Sequence, residues 1–516
     1  MKKNIENKHK KMNNPLDKKV SELQTKFDNA LDLQDIKTLE TVLEEALQTL
    51  STADLNSISK ASLYYSIATT YGDLEMYSKE YQTEKNQEKQ IFYFRKSLDS
   101  INEFGISDPE NPYYLGFKLN LYTNYANSLS RIGRTIEAIK YFQKALAISP
   151  NFGMALGNSG IAYISYANIM SDTNHANIFH HVAYKLLKNT LSNEENLHSQ
   201  AKQYFAYYLS LYDDDFKEKF LETELNFDSF SLGETEDEVN YRTWVLNNRL
   251  YLNPMNDLPF TDNFIATDIL HLPSMRMKIS DGINYKFHSM FNNLKQEFIS
   301  ARFNFFECSQ LENDTHYADK ETHILNTLDY TSFSIRQEKL KLSYRSLYSL
   351  FDKVAYFLNE YFDLGIKERD INFRSIWKEK KTGRNGYEYR NILPLEKNRA
   401  LSGIHWLFKD LFIKLYESPS PHAKELNTLR NGLEHKFVNV YLDIFYDKDS
   451  ESVETDSINI SEESLEKFTY QLLNMVRELL IYLSLSVHIN EQQFTGDKDE
   501  FVPPFIISEL EDDWKL

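Results

Sequence analysis

Cysteine is almost missing from this sequence. Cys308 is the one thiol in 516 residues, which rules out an internal disulfide or a thiolate metal cluster and fits a reducing cytoplasm. Glycine and proline are scarce, at 15 and 12, too few turn-makers for an all-β chain of this length. Positive charge is in deficit: the formal net charge is −18. A protein that coats nucleic acid or an anionic membrane over its whole surface is therefore excluded, and any nucleic-acid contact must be a local basic patch. No uninterrupted apolar run reaches membrane-spanning length, and the greasiest stretch, ELLIYLSLSV, is short and carries serines. The basic start MKKNIENKHKKMNN has no apolar segment behind it and does not read as a signal peptide. What is plentiful is burial material, 41% hydrophobic and 14% aromatic, on a length that calls for more than one domain. The expectation is a cytoplasmic, all-α protein with no membrane partner.

Residues 1–230 read as successive helices, among them LDKKVSELQTKFDNAL, DIKTLETVLEEALQTL and ASLYYSIATTYGDL. The most regular stretch, 119–150, is LNLYTNYANSLSRIGRTIEAIKYFQKALAISP. With Tyr122, Ala126, Gly133, Ala138, Phe142, Ala145 and Pro150 in place, it resembles a tetratricopeptide repeat, in which small residues sit where two helices touch and large ones where repeats stack. One helical hairpin cannot bury its own apolar face, so neighbours are expected. Tyr64, Ala68, Tyr71, Phe94, Ser97 and Leu98 fit a repeat upstream, and Gly160 and Tyr163 fit one downstream. The aromatics and alanines here are packing residues before they are ligand contacts.

An acidic run at 212–239 marks a domain edge, and 231–283 reads as a connector of short helices and loop that docks the two halves. Long helical patterns return over 284–490, at roughly 284–307, 333–364, 397–418, 421–446 and 461–489. In the last of these, Leu465, Phe468, Leu472, Val476, Leu479 and Leu483 form the stripe of a bundle member. Residues 491–516 make an acidic tail with apolar patches.

The segment LRNGLEHKF, 429–437, raises the functional question. On a helix from 421, Leu429, Leu433, Phe437 and Tyr441 lie four apart and predict a core stripe, with Arg430, Asn431 and His435 beside it. Asn431 and His435 share a face, whereas Arg430 lies about 140° from His435 at about 100° per residue. Only the long arginine side chain, or a second subunit, would bring the guanidinium to the same phosphate. Gly432, which costs up to ~1 kcal/mol inside a helix relative to alanine, predicts a close approach by another backbone or a ligand. The plain alternative is a surface ion pair between Arg430 and Glu434 with His435 at the helix edge.

The polar positions of RNGLEH, on a late helix of a bundle, resemble the HEPN superfamily over about 284–490. Its ribonuclease members carry Arg, often followed by Asn or Asp, then His. The spacing alone is uninformative, since with 13 histidines in the chain about one such pair arises by chance. A second pair, Arg399 and His405, is set aside because Ala400, not Asn or Asp, follows the arginine. The resemblance implies an endoribonuclease that needs no metal or other cofactor. The ribose 2′-hydroxyl attacks phosphorus and leaves a 2′,3′-cyclic phosphate and a 5′-hydroxyl. Arg430 would hold the phosphate and stabilise growing charge, His435 would exchange a proton with the attacking or leaving oxygen, and Asn431 would orient His435 or bond the phosphate. It further implies a homodimer whose two motifs line one cleft, and a defence or toxin role in which the repeat half senses a protein or peptide trigger. In the members silenced by adenylylation a tyrosine stands two residues after the histidine; here that position is Phe437, so control of that kind is not expected.

RNA must still reach an acidic protein. Residues 367–399 hold ten Lys and Arg against five Asp and Glu. Lys378, Lys380, Lys381, Arg384 and Arg390, interleaved with Trp377 and Tyr387, are the candidate RNA contacts, with an ordinary solvated hairpin as the alternative. His175, His180 and His181 lack the spacing of a helical zinc site, and no Walker loop, nucleophile elbow or dinucleotide fingerprint occurs. The rival reading is a non-catalytic scaffold or nucleotide-binding regulator, in which the repeats bind a partner and the bundle only dimerises.

Overall fold

In this computed structural model several helices begin where a side chain accepts one of the first free backbone N–H groups. Asn56 accepts from Ser59 N (2.8 Å), Asn111 from Tyr113 N (2.9 Å) with Pro112 in the first turn, and Ser461 from Ser464 N (3.2 Å). The structure describes residues 17–105, 109–192, 197, 199–311, 315–326, 328–380, 387–390, 392–411, 419–442, 457–493, 499–503 and 510–515. The front half runs through α1 (Lys18–Asp32), α2 (Ile36–Thr52), α3 (Ser57–Tyr77), α4 (Glu84–Gly105), α5 (Pro112–Arg131), α6 (Thr135–Ile148), α7 (Gly153–Ala167), α8 (Thr173–Ser192), α9 (Ser199–Ser210) and the short α10 (Asp214–Phe216). Helices pack in sequential pairs, α3 on α4, α5 on α6 and α7 on α8. The repeat residues sit where expected: Ala126, Ala138 and Ala145 are fully buried, with Phe142, Tyr163 and Phe94 beside them. Gly133 turns the chain between α5 and α6 at φ +90°, a conformation that favours glycine.

After α11 (Glu236–Asn247) the connector is mostly buried non-helical chain, with Leu250, Leu252, Met255 and Leu258 in the core. The back half is a bundle of α12 (Lys286–Gln310), α13 (Ile335–Tyr361), α14 (Arg399–Leu411), α15 (Ala423–His435) and α16 (Glu462–Gln492). Small sheets edge it: β1 (Met277–Lys278) pairs with β7 (Glu500–Phe501), β3 (Lys378–Lys380) with β4 (Tyr387–Tyr389), and β2 (Thr331–Ser332), β5 (Phe437–Tyr441) and β6 (Ser457–Ser461) form one sheet with β5 in the middle. α16 is the central member. It is long and apolar enough to cross a membrane, yet 89% of its apolar window is buried inside the fold, so its leucines serve the bundle core.

The two halves meet through charge as well as apolar surface. Arg134, ahead of α6, is 3% exposed and bonds Asp410 Oδ2 of α14 (2.7 Å), Glu478 Oε2 of α16 (3.0 Å) and Glu137 (2.6 Å). Arg95 of α4 meets the other Asp410 oxygen at 2.5 Å, and Lys140 reaches Glu478 at 3.4 Å. Arg477 of α16, with no exposed surface, is held by Asp257 (2.7 Å) and by the carbonyls of Tyr251 and Asn253. Backbones touch where both partners are glycine: a Cβ on Gly403 would lie 2.9 Å from the Gly133 carbonyl oxygen.

Candidate functional site

α15 is shorter than its sequence pattern. Leu426 and Leu429 are buried against α13, whose Tyr344 hydroxyl donates to the Leu426 carbonyl (2.7 Å). The expected stripe then fails, because the backbone turns extended at Lys436 and the chain becomes strand β5. Phe437, expected in the core, is 77% exposed, while Val438 and Val440 face inward. Strand pairing overrides the helical spacing: β5 lies between β6, parallel to it, and β2, antiparallel. Gly432 is crowded as expected, but by side chains; a Cβ there would meet Ile458 Cδ1 at 2.3 Å and Val438 Cγ2 at 3.1 Å.

Arg430, Asn431 and His435 stand on the last turns of α15. The Arg430 guanidinium lies 5.7 Å from the centre of the Tyr348 ring on α13, reaches Asp352 Oδ2 at 3.9 Å and donates to Asn431 Oδ1 (3.1 Å). The Asp352 pair is loose, both side chains being about a third exposed (35% and 34%), a setting in which ion pairs contribute little. The other Asp352 oxygen accepts from the Phe373 backbone N–H (2.9 Å). Partial burial raises the Asp352 carboxyl above its usual range, opposed by that N–H and by Arg430; burial likewise raises the Tyr348 phenol. Asn431 thus serves Arg430 here, not His435. His435 is exposed and its imidazole has no hydrogen-bond partner among the described residues. The alternative Arg430–Glu434 pair is not formed; Glu434 faces Arg345 of α13 (3.5 Å). The arrangement presents a cation with only weak internal neutralisation and a free imidazole to solvent, the two functions needed to bind a phosphodiester and move a proton.

The other arginine–histidine pair is structural. Arg399 donates to the Ser130 carbonyl of α5, and His405 is 2% exposed between Trp377, Tyr389 and Phe408. Burial, reinforced by Lys409 and Lys378, pushes the His405 pKa well below the ordinary histidine value. Its Nδ1 lies 3.3 Å from Glu84. We read this contact as a neutral imidazole donating to the carboxylate, since Lys409 already neutralises Glu84 at 2.6 Å. The three front-half histidines also part company: His180 Nδ1 meets the Tyr212 hydroxyl and His181 Nδ1 the Phe220 carbonyl, both at 3.2 Å, and His175 lies 3.8 Å from Asp172.

The basic excursion is corrected at its base. Trp377 is 1% exposed, packed on Phe373 and Phe408, and cannot stack a base. Lys378 is buried over the Tyr389 ring (4.6 Å), and Arg390 is held by Glu379 (3.1 Å). The physical reason is long-range. Trp377 packs on His405 and Phe408 of α14, and Lys409 of the same helix meets Glu88 of α4 at 2.5 Å, so the base of the excursion is docked. Lys380 and Tyr387 fall on the paired strands β3 and β4, and Lys381 and Arg384 lie outside the described residues. Sequence reasoning did not find Tyr348, Asp352 or Arg345, the α13 residues around the motif. Their spacing, three, four and seven apart on one helix, was the available signal.

Residues 280–490 match the family model described as LA2681-like HEPN, and residues 119–152 match the tetratricopeptide repeat model. No curated protein and no solved structure matches the chain.

Proposed function

We propose that this chain, which joins a HEPN domain of the LA2681-like kind to tetratricopeptide-repeat helices, is a metal-independent endoribonuclease, a bacterial defence or toxin effector regulated through its repeat half. The observation that carries this reading is the placement together on the last turns of α15 of half-buried Arg430 and exposed Asn431 and His435, inside the stretch that matches the LA2681-like HEPN model. Arg430 binds the scissile phosphate, displacing the loose Asp352 contact. His435 relays the proton between the 2′-hydroxyl, the leaving 5′-oxygen and solvent, and the products are a 2′,3′-cyclic phosphate and a 5′-hydroxyl. Asn431 orients the guanidinium to which it is already bonded. Two copies pair through the bundle so that the Arg430 of each can serve the phosphate held at the other's His435, which removes the angular separation along α15. The repeat face of α4 to α7 is already engaged by the bundle and connector through Arg95, Arg134, Lys140, Gln143 and Tyr166; a trigger therefore acts on another repeat surface or by loosening this one.

The test is incubation of total RNA and tRNA in EDTA with wild type, Arg430→Ala and His435→Ala, with end-group analysis. The expected result is cleavage by wild type with cyclic phosphate ends and a loss of about 10²–10⁴-fold in His435→Ala. Cleavage that survives both substitutions would sink the site assignment, and inactivity of all three across candidate triggers would favour the scaffold reading.

A further inference from the structure

We propose that the outer face of the β5–β6 sheet is a single-stranded RNA surface that stacks and reads the bases flanking the phosphate held at Arg430 and His435. The proposal rests on the nuclease reading for its location, but its own evidence is separate. Phe437 is two residues past His435 and is 77% exposed, unusual for a phenylalanine on the central strand of a sheet. Side chains alternate along a strand, and Val438 (9% exposed) and Val440 (1%) fill the inner face, so Phe437, Asn439 and Tyr441 share the outer one. In the parallel register Asn439 stands opposite Asn459, with the Asn439 amide donating to the Asn459 oxygen at 3.3 Å. The face thus offers an aromatic ring beside the reactive groups, an amide pair next along, then a second aromatic, at steps of about 6.8 Å for alternate residues. Aromatic rings stack any unpaired base, and carboxamides offer both a donor and an acceptor to base edges.

Charge decides between occupants. The exposed Lys436 lies between His435 and Phe437 and pairs with no carboxylate among the described residues. Arg430 and Arg345 flank it from α15 and α13, each beside one carboxylate, Asp352 at 3.9 Å and Glu434 at 3.5 Å. The local balance is a positive excess suited to phosphates on a chain of net charge −18. Opposite Phe437 on β6 is Ser457, while on the β2 side the exposed Tyr330 and Phe333 bring further aromatic rings to the same sheet. A duplex does not fit this mode, because its bases are already stacked and paired.

The experiment places Phe437→Ala and Phe437→Trp in the full-length His435→Ala background, where RNA is not consumed. It measures binding of a fluorescein-labelled oligouridine and of the same strand annealed to its complement, with light scattering to follow oligomeric state. The expected result is that Phe437→Ala weakens single-strand binding about 5- to 150-fold, Phe437→Trp retains it, and duplex binding is insensitive to both. Unchanged affinity in Phe437→Ala, or no single-strand binding by the parent, overturns the proposal. So does a shift from dimer to monomer at unchanged affinity, which would assign the face to a second copy. If wild type cleaves no RNA while binding still depends on Phe437, the nuclease reading fails and this one stands. Cleavage by wild type together with Phe437-independent binding leaves the nuclease standing and overturns the stacking surface.

Discussion

Two arginines show what separates a structural charge from an available one. Arg134 is 3% exposed and bonded to Asp410, Glu478 and Glu137; Arg430 is 35% exposed, with one loose carboxylate at 3.9 Å and an aromatic ring beneath it. Buried charge survives only when it is closely paired, and the three carboxylates around Arg134 enclose its guanidinium away from any substrate. The second leaves most of its guanidinium donors unanswered in water. Arg399 and His405 belong with the first kind despite their motif-like spacing, because the repeat half claims both.

The comparison breaks most sharply at Arg134. Replacing it with alanine leaves buried Asp410 to Arg95 and buried Glu478 to the longer Lys140 contact alone and should cost about 3 kcal/mol of stability in denaturant unfolding, whereas Arg430→Ala should cost less than about 1 kcal/mol. Equal losses would erase the distinction. A gentler probe is acid. With the folded pKa of His405 held below the unfolded value, the unfolded chain binds the extra proton. The contribution is therefore fully present above about pH 6.5 and declines as pH falls below it, by up to about 1.4 kcal/mol per pH unit. Thermal melts between pH 7.5 and 5.5 should show this slope in wild type and less of it in His405→Gln. The smallest effect is expected at Asp352. Asp352→Asn should leave stability nearly unchanged but release Arg430, seen as faster phenylglyoxal modification of that residue by mass spectrometry; unchanged reactivity would mean that the 3.9 Å contact does not restrain it.

What the sequence made legible was what local spacing determines. The repeat consensus of 119–150 and the stripe from Leu465 to Leu483 both describe a helix burying one face, and both faces are buried. The Leu429–Leu433–Phe437–Tyr441 stripe obeys the same rule and misled beyond His435, because the competing term was a strand twenty residues further on, whose Ile458 pairs with Val438. Trp377 misled for the same reason at longer range: its neighbours are lysines, yet the acids that draw this region inward, Glu84 and Glu88, lie on α4. Arg430 and His435 were legible as candidates because they lie in one segment, but the α13 side chains that set their surroundings are not local to it, and the loss of the Asn431–His435 alliance could not be read from helical geometry.

The buried junction also sets a schedule for synthesis. Arg134 leaves the ribosome 276 residues before Asp410 and 344 before Glu478. At about 5–20 residues per second, the repeat helices wait roughly 20–70 s with their inner cations answered only by water and by Glu137. A truncated product ending before α14 therefore carries a frustrated, charge-lined surface open to chaperones and proteases, and lacks Arg430 and His435 altogether.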